Sequence, residues 1–106
     1  MIVDLAKRRV TVRKFLPKEI PLQKIIRIIE VARQAPSGAN RQPWRFIVVS
    51  DARLKRRIRE ECEKIERSFH KKVPEWMKKW LSEKKITPTK KFLTEAPYLI
   101  VVCSEK

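Results

Sequence analysis

Apolar residues recur along this chain at helical spacing in some stretches and as short unbroken runs in others. Leu22, Ile25, Ile26, Ile29 and Ala32 lie three or four positions apart, which predicts an amphipathic helix with Pro21 in its first turn. That helix must stop before Pro36, because a residue preceding proline is pushed out of the α region. A shorter opening helix is expected from Ile2 to about Arg8, with Asp4 near its start, and Pro17 and Pro21 bracket the connection between the two. Phe46-Ile47-Val48-Val49 is a continuous β-branched and aromatic run and reads as a buried strand. Asp51 then offers an N-cap for a long helix whose apolar stripe is Leu54, Ile58, Cys62, Ile65 and Phe69. Pro74 opens a further helical stretch with Trp76, Met77, Trp80 and Leu81, and Tyr98–Cys103 reads as a second buried strand. Two apolar strands separated by helices indicate an α+β or three-layer α/β arrangement, not a bundle or a barrel.

Composition narrows the class further. A chain of 106 residues allows one small domain and leaves no room for two, so a single, partial domain is expected over residues 1–106. The 42% hydrophobic content excludes a disordered basic tail, and one glycine excludes glycine-rich low complexity. Two cysteines cannot build a disulfide framework or, by themselves, a four-ligand zinc site, so no metal site is expected. No apolar run approaches the ~20 residues needed to span a membrane, and the first residues do not form a signal peptide, so a soluble, cytoplasmic domain is expected.

The formal net charge of +15 raises nucleic acid as a partner. The excess is spread out: 11 bases and 3 acids in residues 1–50, 15 and 7 in residues 51–92, 1 and 2 thereafter. No nucleic-acid motif accompanies it. A solvated, charge-rich surface is the simpler reading, in keeping with the abundance of Lys, Arg and Glu and only four Asn and Gln together.

Two segments carry candidate chemistry. In Arg8-Arg9-Val10-Thr11-Val12-Arg13-Lys14-Phe15, an extended backbone puts Arg9, Thr11 and Arg13 on one side and Val10 and Val12 on the other. Two guanidinium groups flanking a hydroxyl suit an anion, since arginine presents forked donors matched to phosphate oxygens. The loop Pro36-Ser37-Gly38-Ala39-Asn40-Arg41-Gln42-Pro43-Trp44 places a hydroxyl and two amides within six residues. Amide side chains donate and accept, as recognition of a heterocycle's carbonyl and N–H edges requires. Taken alone, each segment also reads as ordinary surface: a basic stretch, and a proline-rich turn satisfying its own backbone.

In this order, Arg-x-Thr-x-Arg-x-Phe, a helix ending Ala-Arg-Gln-Ala-Pro-Ser, then Asn-x-Gln-Pro-Trp-x-Phe and a strand resemble the N-terminal half of the nitroreductase family of flavoproteins. The resemblance runs from about Leu5 to Val49 and resumes weakly at Ala96–Val102. It implies a three-layer fold with a central mixed sheet flanked by helices, here truncated after the second strand. It implies FMN at the interface of a homodimer, and electrons passed from NADH or NADPH to nitro, quinone or similar small-molecule acceptors by a ping-pong flavin mechanism. By position, Arg9 and Thr11 would hold the FMN phosphate, with Val10 where many members have a second arginine and Thr11 where they have serine. Arg13 would face the N1–C2 edge of the flavin and stabilise its reduced form, so no protein nucleophile is needed. Pro36, Ser37, Asn40 and Gln42 would line the ring or reach it from the partner subunit, while Trp44 packs in the core.

Family members run well beyond 106 residues, so a truncated, noncatalytic flavin-binding or dimerisation module is the alternative, and a basic nucleic-acid-binding protein the second. Outside the motifs, His70 reads as a solvated helix-end residue, Cys62 and Cys103 as small core hydrophobes, and Trp76 and Trp80 as core or dimer surface. Lys90 and Lys91, just before the last strand, are given no role.

Overall fold

The structure is a computed structural model that describes all 106 residues. Helix α1 spans Ile2–Arg8, α2 Leu22–Ala32, α3 Ala52–Lys72, α4 Glu75–Glu83 and α5 Phe92–Glu95; strand β1 spans Trp44–Val49 and β2 Leu99–Ser104. The proline boundaries hold: α2 follows Pro21 and ends ahead of Pro36, and Pro74 precedes α4. Asp51 caps α3 as its spacing predicts, its Oδ1 accepting from the Arg53 N–H at 3.2 Å. The four-residue α5 carries no periodic signal and is not anticipated from sequence.

β1 and β2 pair antiparallel in a two-stranded sheet, from Trp44 opposite Ser104 to Val49 opposite Leu99. The Glu105 N–H donates to the Pro43 carbonyl at 2.8 Å just beyond the strand ends, and Glu105 pairs with Arg45 of β1 at 2.6 Å. These strands are not the buried pair their composition suggests. Of β1 only Val49 is fully buried, β2 is half-buried or exposed, and Cys103 lies on the surface. Trp44 is half-buried. A strand of apolar residues is buried only if layers cover both faces, and these 106 residues do not supply them.

The core is correspondingly small: Ile25, Val49, Val73, Leu81 and Ala96 are its buried apolar members. The Cα radius of gyration is 17.1 Å, against roughly 13 Å for a compact domain of this length. Trp76 and Trp80 are 68% and 47% exposed, which removes core packing within this chain as their role.

Helix α3 packs on a seam rotated from its apolar stripe. Leu54, Ile65 and Phe69 stay largely open, while Lys55 is buried and Arg59, Cys62, Glu63, Glu66 and His70 are half-buried. The reason is what faces that seam. The Lys55 ammonium donates to the Ala96 carbonyl at 2.8 Å and, at 3.5 Å, to that of Pro97, where α5 gives way to β2. Arg59 donates to the Thr94 hydroxyl at 3.0 Å and to Glu63, whose carboxylate also accepts from the Lys90 N–H at 3.3 Å. Polar groups of residues 90–97 thus find partners on α3, as buried polar atoms must. His70 lies in the last turn of α3, as expected, 3.6 Å from Glu66.

Two predictions follow from this seam. Lys55→Ala strands the Ala96 carbonyl and should lower unfolding free energy by about 1–3 kcal/mol in urea titration, whereas Lys72→Ala on the exposed end of α3 should change it by less than about 0.5 kcal/mol; equal effects would contradict the burial of Lys55. The second concerns acid. The Arg59 hydrogen bond, foremost, holds the Glu63 carboxyl below the usual carboxylate range, helped by the Lys90 N–H and the charges of Arg59 and Arg67 and opposed by desolvation. A group lowered in this way stabilises the fold above its ordinary pKa and ceases to do so as pH falls through the lowered value. Acidification through that window should therefore deprotect the Lys90 amide in hydrogen exchange, and Glu63→Gln should remove this pH dependence.

Candidate functional site

The two sequence motifs form two separate local structures. Arg9 ends α1 in extended conformation, and its Nη1 donates to the Thr11 hydroxyl at 3.4 Å, so these two side chains share one side of the strand-like segment as their alternation predicts. Both are exposed. Val10 and Val12 are exposed as well, because no element of this chain packs behind them.

The second motif closes on itself. Ser37 is extended and half-buried, and a short 3-10 turn covers Gly38–Asn40. The Ser37 hydroxyl accepts from the Gln42 N–H at 3.0 Å, and the Gln42 amide donates to the Asn40 carbonyl oxygen at 3.1 Å. Ala39, Asn40 and Gln42 all have φ near 50°, in the left-handed region, while the neighbouring Gly38 does not. Such backbone costs of order 1 kcal/mol or more per non-glycine residue and persists only where its surroundings enforce it. Here the Ser37–Gln42 and Asn40–Gln42 bonds do so. The Asn40 side-chain NH2 and the Gln42 side-chain oxygen have no partner within the chain, which leaves amide donors and an acceptor presented by the loop. Pro36 enters this loop exposed.

Arg13 stands apart from Arg9 and Thr11. It lines a cleft of roughly 820 Å³ with Lys14, Phe15, Lys85, Lys91 and Phe92, and a smaller neighbouring cleft with Glu66 and Lys90. No hydrogen bond joins Arg13 to either motif partner, and Ser37, Asn40 and Gln42 line neither cleft. The seam on α3 fixes the far wall: Glu63 holds the Lys90 backbone, and Glu66 lies 3.6 Å from the Lys90 ammonium.

Sequence reasoning assigned nothing to residues 85–92. A signal was present in Lys85-Ile86-Thr87-Pro88-Thr89-Lys90-Lys91, where two hydroxyls flank a proline and lysines bracket them, but only folding brings it to Arg13. Lys55 gave no signal at all: a lysine on the charged side of an amphipathic helix reads as solvated.

The sequence profile of the nitroreductase family matches residues 6–106. The iodotyrosine deiodinase of Thermotoga neapolitana is 51% identical over 106 residues, covering 100% of this chain and 57% of that protein. The iodotyrosine deiodinase of Haliscomenobacter hydrossis is 45% identical over 97 residues, 89% of this chain and 43% of the other. A crystal structure of oxidized iodotyrosine deiodinase bound to FMN and 3-iodo-L-tyrosine superposes with a TM-score of 0.91 at 51% identity, over 100% of this chain and 58% of its own. A BluB-like flavoprotein from Clostridium difficile follows at a TM-score of 0.72 and 27% identity, over 99% and 49%. The chain therefore spans about half the length of the relatives it matches. No helix is long and apolar enough to cross a membrane. With the profile running from α1 through β2 and both motifs inside it, the chain belongs to the nitroreductase family.

Proposed function

We propose that this chain carries the FMN-contacting motifs of a flavoprotein reductase acting on a small aromatic, with reductive removal of halide from a halogenated tyrosine as the leading chemistry. The observation that carries the flavin reading is the loop Ser37–Gln42, closed by its own side chains around the free Asn40 NH2 and the free side-chain oxygen of Gln42. The likeness to iodotyrosine deiodinases, one of them solved with 3-iodo-L-tyrosine, supports the choice of substrate.

The donor set fits FMN. Arg9 and Thr11 offer a guanidinium and a hydroxyl to a phosphate, where charge-assisted bonds are the strong ones. Asn40 and Gln42 offer the complementary amide edge, and Pro36 and Ser37 shape the approach to it. Val10 contributes backbone only. When bound, FMN supplies the hydride and electron chemistry. Arg13 is the cation that would favour the more negative, reduced form. Replacing an aromatic carbon–halogen bond by carbon–hydrogen consumes two electrons and a proton and releases halide; NADH or NADPH is the proposed electron source. Nitro and quinone acceptors are the second reading, favoured by a cleft with no feature specific to halogen. A second copy of the chain is proposed to complete the site, in keeping with the exposed Ile2, Val3 and Leu5 of α1. A cytoplasmic location is part of the same reading.

Fluorescence titration with FMN tests it. The wild-type chain should bind, and Arg9→Ala should weaken binding by about 1.5–3 kcal/mol, roughly 10- to 150-fold in Kd. Arg13→Ala should retain FMN and lower its reduction potential. Anaerobic NADH or NADPH should bleach the bound flavin. Bound flavin that neither donor bleaches would support the noncatalytic module instead, and a chain that ignores FMN but binds DNA with steep salt dependence would overturn the flavin reading.

A further inference from the structure

The seam between α3 and α5 frames a separate cleft of roughly 510 Å³, in which Ala52 is the one apolar lining residue. None of its walls belongs to the Arg9–Arg13 segment, to the Ser37–Gln42 loop or to the clefts at Arg13. Two of its charges cancel, because Arg59 donates to Glu63. Thr94 accepts from Arg59 and donates to the Lys91 carbonyl at 3.1 Å, so it holds that guanidinium in place. Three charges stay uncompensated: Lys55, Arg56 and Glu60 line the cleft and belong to no ion pair.

Lys55 decides what the cleft lacks. The residue is 8% exposed, and its ammonium meets only the carbonyls of Ala96 and Pro97. Carbonyl oxygens solvate an ammonium without neutralising it, whereas buried charges are ordinarily paired. An ammonium has three donors and a guanidinium five, so Lys55, Arg56 and Arg59 all keep N–H groups beyond the bonds they make. The three come from the first turns of α3, where the helix dipole adds further positive potential. Glu60 is exposed and accepts no hydrogen bond, which leaves a carboxylate acceptor beside the cations.

We propose that this cleft binds a small hydroxylated phosphate monoester, its phosphate on Lys55, Arg56 and Arg59 and a hydroxyl donating to Glu60. The phosphate supplies the negative charge that Lys55 lacks, and arginine forks match its oxygens. The volume leaves room beyond a bare phosphate, and walls without aromatic or aliphatic surface disfavour a flavin ring. Because Lys55 ties α3 to the segment leading into β2, the bound ester stabilises the fold itself, as any ligand of the native state does. The inference stands whether or not the chain binds FMN.

Thermal unfolding and calorimetry test the site on the 106-residue chain carrying Arg9→Ala, which removes the guanidinium offered to the flavin phosphate. Glycerol phosphate, inorganic phosphate and sodium chloride at matched ionic strength are the probes. Glycerol phosphate at about ten times its Kd should raise Tm by roughly 4 °C or more, and sodium chloride should not. It should also bind several-fold tighter than inorganic phosphate. Arg56→Gln, an exposed residue, should weaken both phosphates several-fold without changing Tm in their absence, which separates lost recognition from lost folding. Glu60→Ala should erase the preference for the ester, chiefly by tightening inorganic phosphate. Lys79→Gln, on the exposed side of α4, should change neither affinity. Absence of binding, an equal effect of chloride, or an equal loss in the Lys79 variant would overturn the proposal. So would phosphate affinity untouched by Arg56→Gln, or an ester preference that survives Glu60→Ala.

Discussion

The buried ammonium of Lys55, donating to the carbonyls that end α5, is the interaction on which the order of residues 90–104 depends. With Arg59 on Thr94 and Glu63 on the Lys90 N–H, it turns one side of α3 into a polar rail. Each bond is modest, and an unmade one is expensive, so the rail works as a set. The rail ends at Pro97, two residues before β2 begins its antiparallel pairing with β1. A core of five buried apolar side chains would fix that geometry only loosely without it.

The same rail is what gives the candidate site its second wall. Arg13 comes from an extended segment without regular structure, and Lys91 and Phe92 reach it because Glu63 and Glu66 hold Lys90 in place. The Ser37–Gln42 loop is rigid by a different means: its own side chains enforce three left-handed residues. The loop is thus tied by its own side chains, and the wall of the Arg13 cleft is positioned by α3. That division explains why the Ser37–Gln42 loop can be judged from a few consecutive residues, whereas the cleft at Arg13 cannot.

The sequence made the periodic and the punctuated features readable. Proline positions bounded α2 and α4, Asp51 marked the start of α3, and the β-branched runs located both strands to within two residues. Both motifs were visible, and the family they resemble proved to be the family of the chain. What stayed hidden depended on partners distant in sequence. Burial of Lys55 requires carbonyls 41 and 42 residues away, and the cleft joins Arg13 to residues beyond Lys85. Apolar content likewise overstated burial: Ile65 is 67% exposed and Cys103 lies open, because the pattern records which face wants a partner and not whether one is present.

The central claim is that two local structures, the Arg9–Arg13 segment and the Ser37–Gln42 loop, converge on one flavin although no hydrogen bond links them. Mapping amide chemical shifts while FMN is added to the chain tests this most directly. The account predicts perturbations concentrated at Arg9, Thr11, Arg13, Ser37, Asn40 and Gln42, saturating at a single affinity. Perturbations spread over the exposed lysines of α3 and α4, without saturation at the two motifs, would mean that charge alone attracts the nucleotide and would contradict it.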